Sequence, residues 1–374
     1  MMDHDGHNLG CTLASAAREA VASIVDWLER VDPGAHRRIK GLRLVTAFGI
    51  ASMLGVMGDI TRGLPDSATL TTLAGGFALW ASVSESRGTR AESSRDLVLL
   101  SMAAGIGAAS YVLAAPWLIR FGVVAPELVL ISGAFCTGYL RRFGLTGTGI
   151  GSQIYIGQLL AYSAPLQPFD LPTVAVATVI AAVATVVPRV LSGPAEHAPP
   201  LPPPLPARAG GLRPELAMGL QAATGALLIV ALNATIGLLE SVWAITACTY
   251  VIAGSAVGTI DRVRRRIIGT AIGLPLGLAF LPLAATMPVV VWLAAAVAMV
   301  IYAMALPERY DIACGAYAFT LIVTLAVGGE HSIAVLAARG WETILGGGLG
   351  LAAATLLFPL RSETQPGGDV SSTP

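Results

Sequence analysis

The chain is poor in charge. Only 12% of its 374 residues are Asp, Glu, Lys or Arg, about half the share of a soluble domain, too few to clothe a water-facing surface of this size. Acidic and basic residues cancel to a net charge of zero, which removes the basic footprint of a nucleic-acid binder. All but Lys40 of the 23 basic residues are arginine. The four cysteines, Cys11, Cys136, Cys248 and Cys314, form no CxxC, and three lie in apolar segments. They read as small core residues rather than a metal or redox centre. No Gly-x-x-x-x-Gly-Lys-Ser/Thr occurs, so no ATP-driven engine is encoded here. No nucleophile–base pair or metal-ligand spacing stands out either, and neither an enzyme, a metal nor a cofactor is expected. Asp3, His4, Asp5 and His7 read as a polar tail, and no cleavable leader is expected from so acidic a start.

Apolar residues are what the chain has in quantity. They make up 55% of it, and the mean hydropathy is +0.72. A spanning helix needs about 20 predominantly apolar residues, and the chain offers about twelve such segments. They fall at 42–58, 68–84, 96–115, 123–140, 145–163 and 171–191, then at 214–237, 242–259, 267–285, 288–306, 311–328 and 341–359. The expected fold is therefore an all-α integral membrane protein of about twelve transmembrane helices. Residues 1–40 are not a span. Leu13, Ala17, Val21, Ile24, Leu28 and Val31 recur at spacings of three and four, as on an amphipathic helix lying at the cytoplasmic face. Residues 193–211 hold the Pro-rich run 199–206, a semi-rigid polyproline II spacer, and 362–374 read as a tail.

Arginine placement sets the orientation. With the N-terminus inside, the inner segments hold eighteen Lys and Arg and the outer segments only Arg62, Arg120 and Arg339. This bias places both termini in the cytoplasm. The densest basic cluster, Arg262, Arg264, Arg265 and Arg266, reads as a cytoplasmic hinge between two spans, a topology anchor before it is a substrate funnel. After it, Gly269, Thr270, Gly273 and Gly277 put small residues on one helix face, where helices in lipid approach closely. Gly147-x-Gly149-x-Gly151 lies within a span and reads as packing, not as a phosphate loop. Pro275 and Pro282 are expected to interrupt the ninth span.

The chain also repeats itself. Gly41-Leu42-Arg43 recurs as Gly211-Leu212-Arg213, and Ala184-Thr185-Val186-Val187-Pro188 as Ala354-Thr355-Leu356-Leu357-Phe358-Pro359, at an offset of 170–171. Two six-helix repeats (41–192 and 212–361) with an even number of spans share one orientation and are related by an axis along the membrane normal.

Polar residues within spans are costly in lipid unless they face a partner or a cavity. Gln153 and Tyr155 in the first half, and Trp243, Thr246, Tyr317 and Thr320 in the second, are the candidates for lining a pathway. Gln153 and Thr320 fall near equivalent positions. Arg339, one of the few outer-side cations, precedes Glu342 by three residues, a spacing that allows a local ion pair. That pair is structural on one reading. On the other, Arg339 meets a substrate carboxylate and Glu342 titrates with proton flow. Trp243 is either an interfacial anchor or an aromatic wall.

The second half resembles the fusaric acid resistance and aromatic acid exporter superfamily. The resemblance rests on Val242-Trp243-Ala244-Ile245-Thr246-Ala247, on Arg262 with Arg266-Ile267-Ile268-Gly269-Thr270-Ala271-Ile272-Gly273, on Tyr317-Ala318-Phe319-Thr320 and on Arg339-Gly340-Trp341-Glu342-Thr343-Ile344-Leu345-Gly346. It spans about 211–361 and implies two fused six-helix modules without the large cytoplasmic domain many members carry. It further implies a bacterial inner-membrane protein that exports aromatic or other small carboxylic acids, with proton coupling following from the absence of an ATPase. The plant aluminium-activated malate channels are similar in architecture, so an organic-anion channel is the alternative, and a non-transporting membrane scaffold the third. The expected partners are a small organic anion and the bilayer, with no nucleic acid. A monomer of two fused repeats is plausible, and a homodimer stays open.

Overall fold

Described in the computed structural model are residues 29–57, 67–85, 88–192, 213–327 and 332–357, with a few isolated positions besides. The amphipathic stretch from Leu13 to Leu28, the Pro-rich linker 193–211 and the tail 362–374 lie outside them. Among the described residues there are thirteen α-helices and no strand. They are α1 (His36–Val56), α2 (Ser67–Ser84), α3 (Arg90–Leu118), α4 (Leu128–Tyr139), α5 (Gly144–Ser163), α6 (Leu171–Leu191), α7 (Pro214–Ile236), α8 (Ser241–Val251), α9 (Ala256–Ala279), α10 (Leu281–Thr286), α11 (Pro288–Ala305), α12 (Tyr310–Val327) and α13 (Ile333–Ala352).

Six of these, α1, α3, α6, α7, α11 and α12, are long and apolar enough to cross a membrane. Between 28% and 56% of each spanning window is buried inside the protein, so much of their apolar surface faces outward. On α6, for example, Val179, Val183, Val187 and Val190 are all exposed, a stripe at helical spacing that water would not favour but hydrocarbon does. The chain is a multi-pass membrane protein. Twelve full-length spans are not what the helix lengths give. α4 has 12 residues and α8 has 11, roughly 17–18 Å at 1.5 Å per residue, short of a hydrocarbon core about 30 Å thick.

The arginine hinge expected between 242–259 and 267–285 is a correction. Helix α8 stops at Val251, and Ser255, whose side chain accepts from the Gly258 N–H, caps the start of α9. Arg262, Arg264, Arg265 and Arg266 therefore stand within the first three turns of a helix rather than in a loop, because the break falls at Gly254-Ser255 and arginine is a good helix former. Pro275 is carried inside α9, while Pro282 opens α10.

Helix pairing follows one plan on both sides of the linker. In α1–α6, α3 packs most heavily on α5, α6 receives α3, α2 and α1, and α4 lies on α5. In α7–α13, α9 packs most heavily on α12, α13 receives α8, α9 and α7, and α11 lies on α12. Between the halves, α4 packs on α7 and α11 packs on α1. Close approach at the main crossings needs glycine. A Cβ on Gly107 would collide with the Ile154 carbonyl, and one on Gly157 with that of Ala104. One on Gly269 would meet the Asp311 carbonyl, and one on Gly273 that of Gly315. Gly147, Gly149 and Gly151 are likewise filled by Leu140, Leu100 and Cys136, as the packing reading requires.

Two ends of the bundle are distinguished by their polar clusters. At the arginine-rich end, Glu85 is buried between Arg189 (3.0 Å) and Arg43 (3.5 Å), and Arg189 also donates to Ser93 and the Gly88 carbonyl. Arg37 pairs with Glu308 across the halves at 2.6 Å. Arg262 donates to the Ile252 carbonyl, closing the end of α8. At the opposite end, the turn before α4 meets the ends of α5 and α7 and the start of α8.

Candidate functional site

A narrow cleft follows the seam where α9, α12 and α13 meet the first turn of α8. Helical spacing sets its lining. Arg266, Thr270 and Leu274 succeed one another at intervals of four on α9, Cys314, Tyr317 and Leu321 face them from α12, and Arg339 and Thr343 close the wall from α13. Trp243 completes it. Arg266 lies about two turns from Leu274 along α9, Leu274 lies beside Gly340, next to Arg339, and no carboxylate is among the lining residues.

Each guanidinium is held in place. That of Arg339 lies 4.5 Å over the Trp243 ring and 3.4 Å from Glu240, and the Thr343 hydroxyl donates to the Arg339 carbonyl. A cation over an indole face is worth about 1–2 kcal/mol once partly desolvated. Arg266 donates to the Tyr310 hydroxyl at 3.2 Å. Behind them runs an aromatic belt that crosses between the halves. Tyr317 stands edge-on to Trp80 of α2 at 5.4 Å, with Tyr302 of α11 at 6.2 Å and Trp243 at 6.5 Å.

The structure joins some of the sequence candidates and separates others. Trp243, Tyr317 and Arg339 share the cleft. Arg339 forms an ion pair with Glu240, and fully buried Glu342 accepts from the Glu240 backbone N–H at 2.9 Å, fixing the start of α8. Tyr155 and Thr246 meet each other through their hydroxyls at 2.8 Å, buried between α5 and α8. Gln153 and Thr320 have partners on different helices. Gln153 donates to Ser84 of α2, whereas Thr320 reaches the Ala295 carbonyl of α11 at 3.5 Å. Of the four arginines grouped as a hinge, Arg266 opens on the cleft, Arg262 closes α8, and Arg264 and Arg265 line a charged surface groove with Asp261 and Glu308.

Sequence reasoning singled out Arg266 only within the arginine cluster, as a topology anchor before a funnel, and missed Glu240 beside Arg339 and Trp80 as part of the belt. It also passed over Glu127, although that is the sole acidic residue between Asp96 and Asp170. No curated protein and no solved structure matches the chain. Residues 225–353 match the family described as fusaric acid resistance protein-like. That stretch runs from within α7 to the end of α13 and contains every residue lining the cleft, so the part of this membrane protein that is similar to the fusaric acid resistance protein-like family is the part that holds the cleft.

Proposed function

We propose that the protein is a bacterial inner-membrane secondary exporter of small organic anions, aromatic carboxylates foremost, driven by the proton gradient. The observation that carries this reading is the cleft itself, lined by two arginines and two aromatic residues with no lining carboxylate. Such a site attracts an anion and offers π surface to its ring. In this reading α1–α6 and α7–α13 are two parallel six-helix repeats, giving twelve passes with α10 as an outer turn and both termini cytoplasmic. The matched pairing of helices within each half supports it, as do the reciprocal contacts of α4 with α7 and of α11 with α1, the pattern of a two-fold axis along the membrane normal. Short α4 completes its pass with the 3₁₀ turns Ala125–Glu127 and Leu140–Phe143 that flank it. The arginine-rich end is the cytoplasmic one. Arg266 receives the substrate from that side and Arg339 binds it near the outer end.

The test is uptake of labelled hydroxybenzoate into inverted vesicles with the lumen acidified. Accumulation above the external concentration is expected, falling by about tenfold or more in Arg339→Ala. Accumulation that persists when the gradient is collapsed overturns the coupling. Flux that only dissipates the substrate's own gradient, with ohmic currents in planar bilayers, assigns a channel instead.

A further inference from the structure

A second polar centre lies opposite the arginine-rich end, where the two halves meet. Glu127 ends the 3₁₀ turn that leads into α4, and only 2% of it is exposed. One carboxyl oxygen, Oε1, accepts from three donors: the Tyr162 hydroxyl at the end of α5 (3.0 Å), the Asn233 amide near the end of α7 (2.8 Å) and the Ser241 hydroxyl at the start of α8 (2.8 Å). The other, Oε2, is buried and has no hydrogen-bond partner. Among the described residues no arginine or lysine forms an ion pair with Glu127. The titratable groups facing it are Tyr162 and, edge-on to Tyr162 at 5.9 Å, Tyr111 of α3, and neither supplies a counter-charge. Asn233 in turn accepts from the Leu238 N–H, tying the turn between α7 and α8 to the same centre.

A carboxyl buried without a cation is costly when ionised, while its neutral form needs a place for one proton. Oε2 is that place. We infer that Glu127 is a proton-binding site at the joint between the two halves, with Oε2 carrying the proton and Oε1 held by Tyr162, Asn233 and Ser241. In the exporter's cycle the proton reaches Glu127 from the outer solvent and leaves toward the cytoplasm, so that its movement runs down the gradient that drives export. The link to the cleft is one peptide bond long. Ser241 follows Glu240, whose side chain holds Arg339 and whose N–H is held by Glu342. An ionised Glu127 binds Ser241 more strongly than a neutral one, so its charge state bears on the turn of α8 that carries Trp243. This inference takes the proton-coupled exporter above as its setting, and supplies the site where the proton sits.

Infrared difference spectra of the full chain in lipid nanodiscs, wild type minus Glu127→Gln, test it directly. A protonated-carboxyl C=O band is expected at neutral pH, where an ordinary carboxyl is ionised, and is expected to disappear as the pH is raised further. Tyr162→Phe removes one hydrogen bond to the charged form and moves that disappearance about one pH unit higher. It also serves as the second variant should Glu127→Gln fail to fold. Absence of the band from about pH 5 upward, or a Tyr162→Phe spectrum indistinguishable from wild type, overturns the assignment. The vesicle assay separates the two ideas. A titrating band without gradient-driven uptake leaves the proton site standing and removes the exporter, whereas gradient-driven uptake without the band removes this site and keeps the exporter.

Discussion

The two halves pair their helices alike and use their arginines differently. In the first half, Arg43 and Arg189 close on one carboxylate, Glu85, and all three are buried. The charges neutralise one another within the packing of α1, α6 and the end of α2, and Arg189 adds bonds to Ser93 and Gly88. In the second half, Arg266 and Arg339 are held by a tyrosine hydroxyl, an indole face and one half-buried carboxylate, and both still line a cleft. The lesson is that similar helix pairing brings cations into the bundle in both halves, while the placement of a few carboxylates decides whether they are closed off within the packing or left lining a cleft.

The largest expected effect tests the fastening side of that contrast. Glu85→Gln leaves two buried guanidiniums without their shared counter-charge, and breaking a buried pair in this way costs about 3–5 kcal/mol. A large fall in melting temperature and in folded yield from detergent extracts is expected. Glu240→Gln, which removes the partner of Arg339 at the rim of the cleft, is expected to cost about 1 kcal/mol or less, because the partner is partly exposed and Trp243 still holds the guanidinium. Equal losses in the two variants, read by tryptophan fluorescence on heating, break the comparison.

A smaller effect tests the shared plan. Gly107→Val in α3 and Gly273→Val in α9 each drive a side chain into the backbone of the facing helix, Ile154 of α5 or Gly315 of α12. Backbone cannot swing aside as a long side chain can, so each is expected to destabilise by about 2–3 kcal/mol. Similar shifts in melting temperature sharpen the likeness of the halves. A loss confined to one variant says that the crossings, though alike in pairing, differ in tightness.

How much of this was legible beforehand depends on what each feature rests on. Apolar runs bounded by Gly, Pro and Arg located twelve of the thirteen helices, because each run is long and its ends are chemically marked. The arginine hinge was misplaced because the same residues that mark a cytoplasmic turn also sustain a helix, and the break lies at the weaker mark, Gly254-Ser255. Arg339 and Glu240 stand 99 residues apart, a distance at which local spacing carries no information, whereas Glu342 at three residues drew attention for its proximity. Which partners Gln153 and Thr320 take was not legible for another reason. Helices that are apolar nearly all round carry little periodic contrast, so the rotation of each about its own axis, and hence which side chains face a path, is set by glycine contacts with neighbours. Glu127 was visible as a lone acid in a long apolar tract, but its three donors come from α5, α7 and α8, and only the folded bundle assembles them.

The smallest expected effect decides between the polar side of α12 and its cleft side. Thr320 and Tyr317 are one turn apart on that helix. Thr320 makes a long bond to the Ala295 carbonyl, and its hydroxyl can be replaced by a methyl with little change in shape, so Thr320→Val is expected to leave KM for uptake within about twofold. Tyr317 stands between Trp80, Tyr302 and Trp243 and lines the cleft. Tyr317→Ala removes that aromatic wall and is expected to raise KM about tenfold, the equivalent of one ring contact. Should Thr320→Val raise KM as far as Tyr317→Ala, the path runs along the α11–α12 face, and the arginines of the cleft, like those around Glu85, are fasteners.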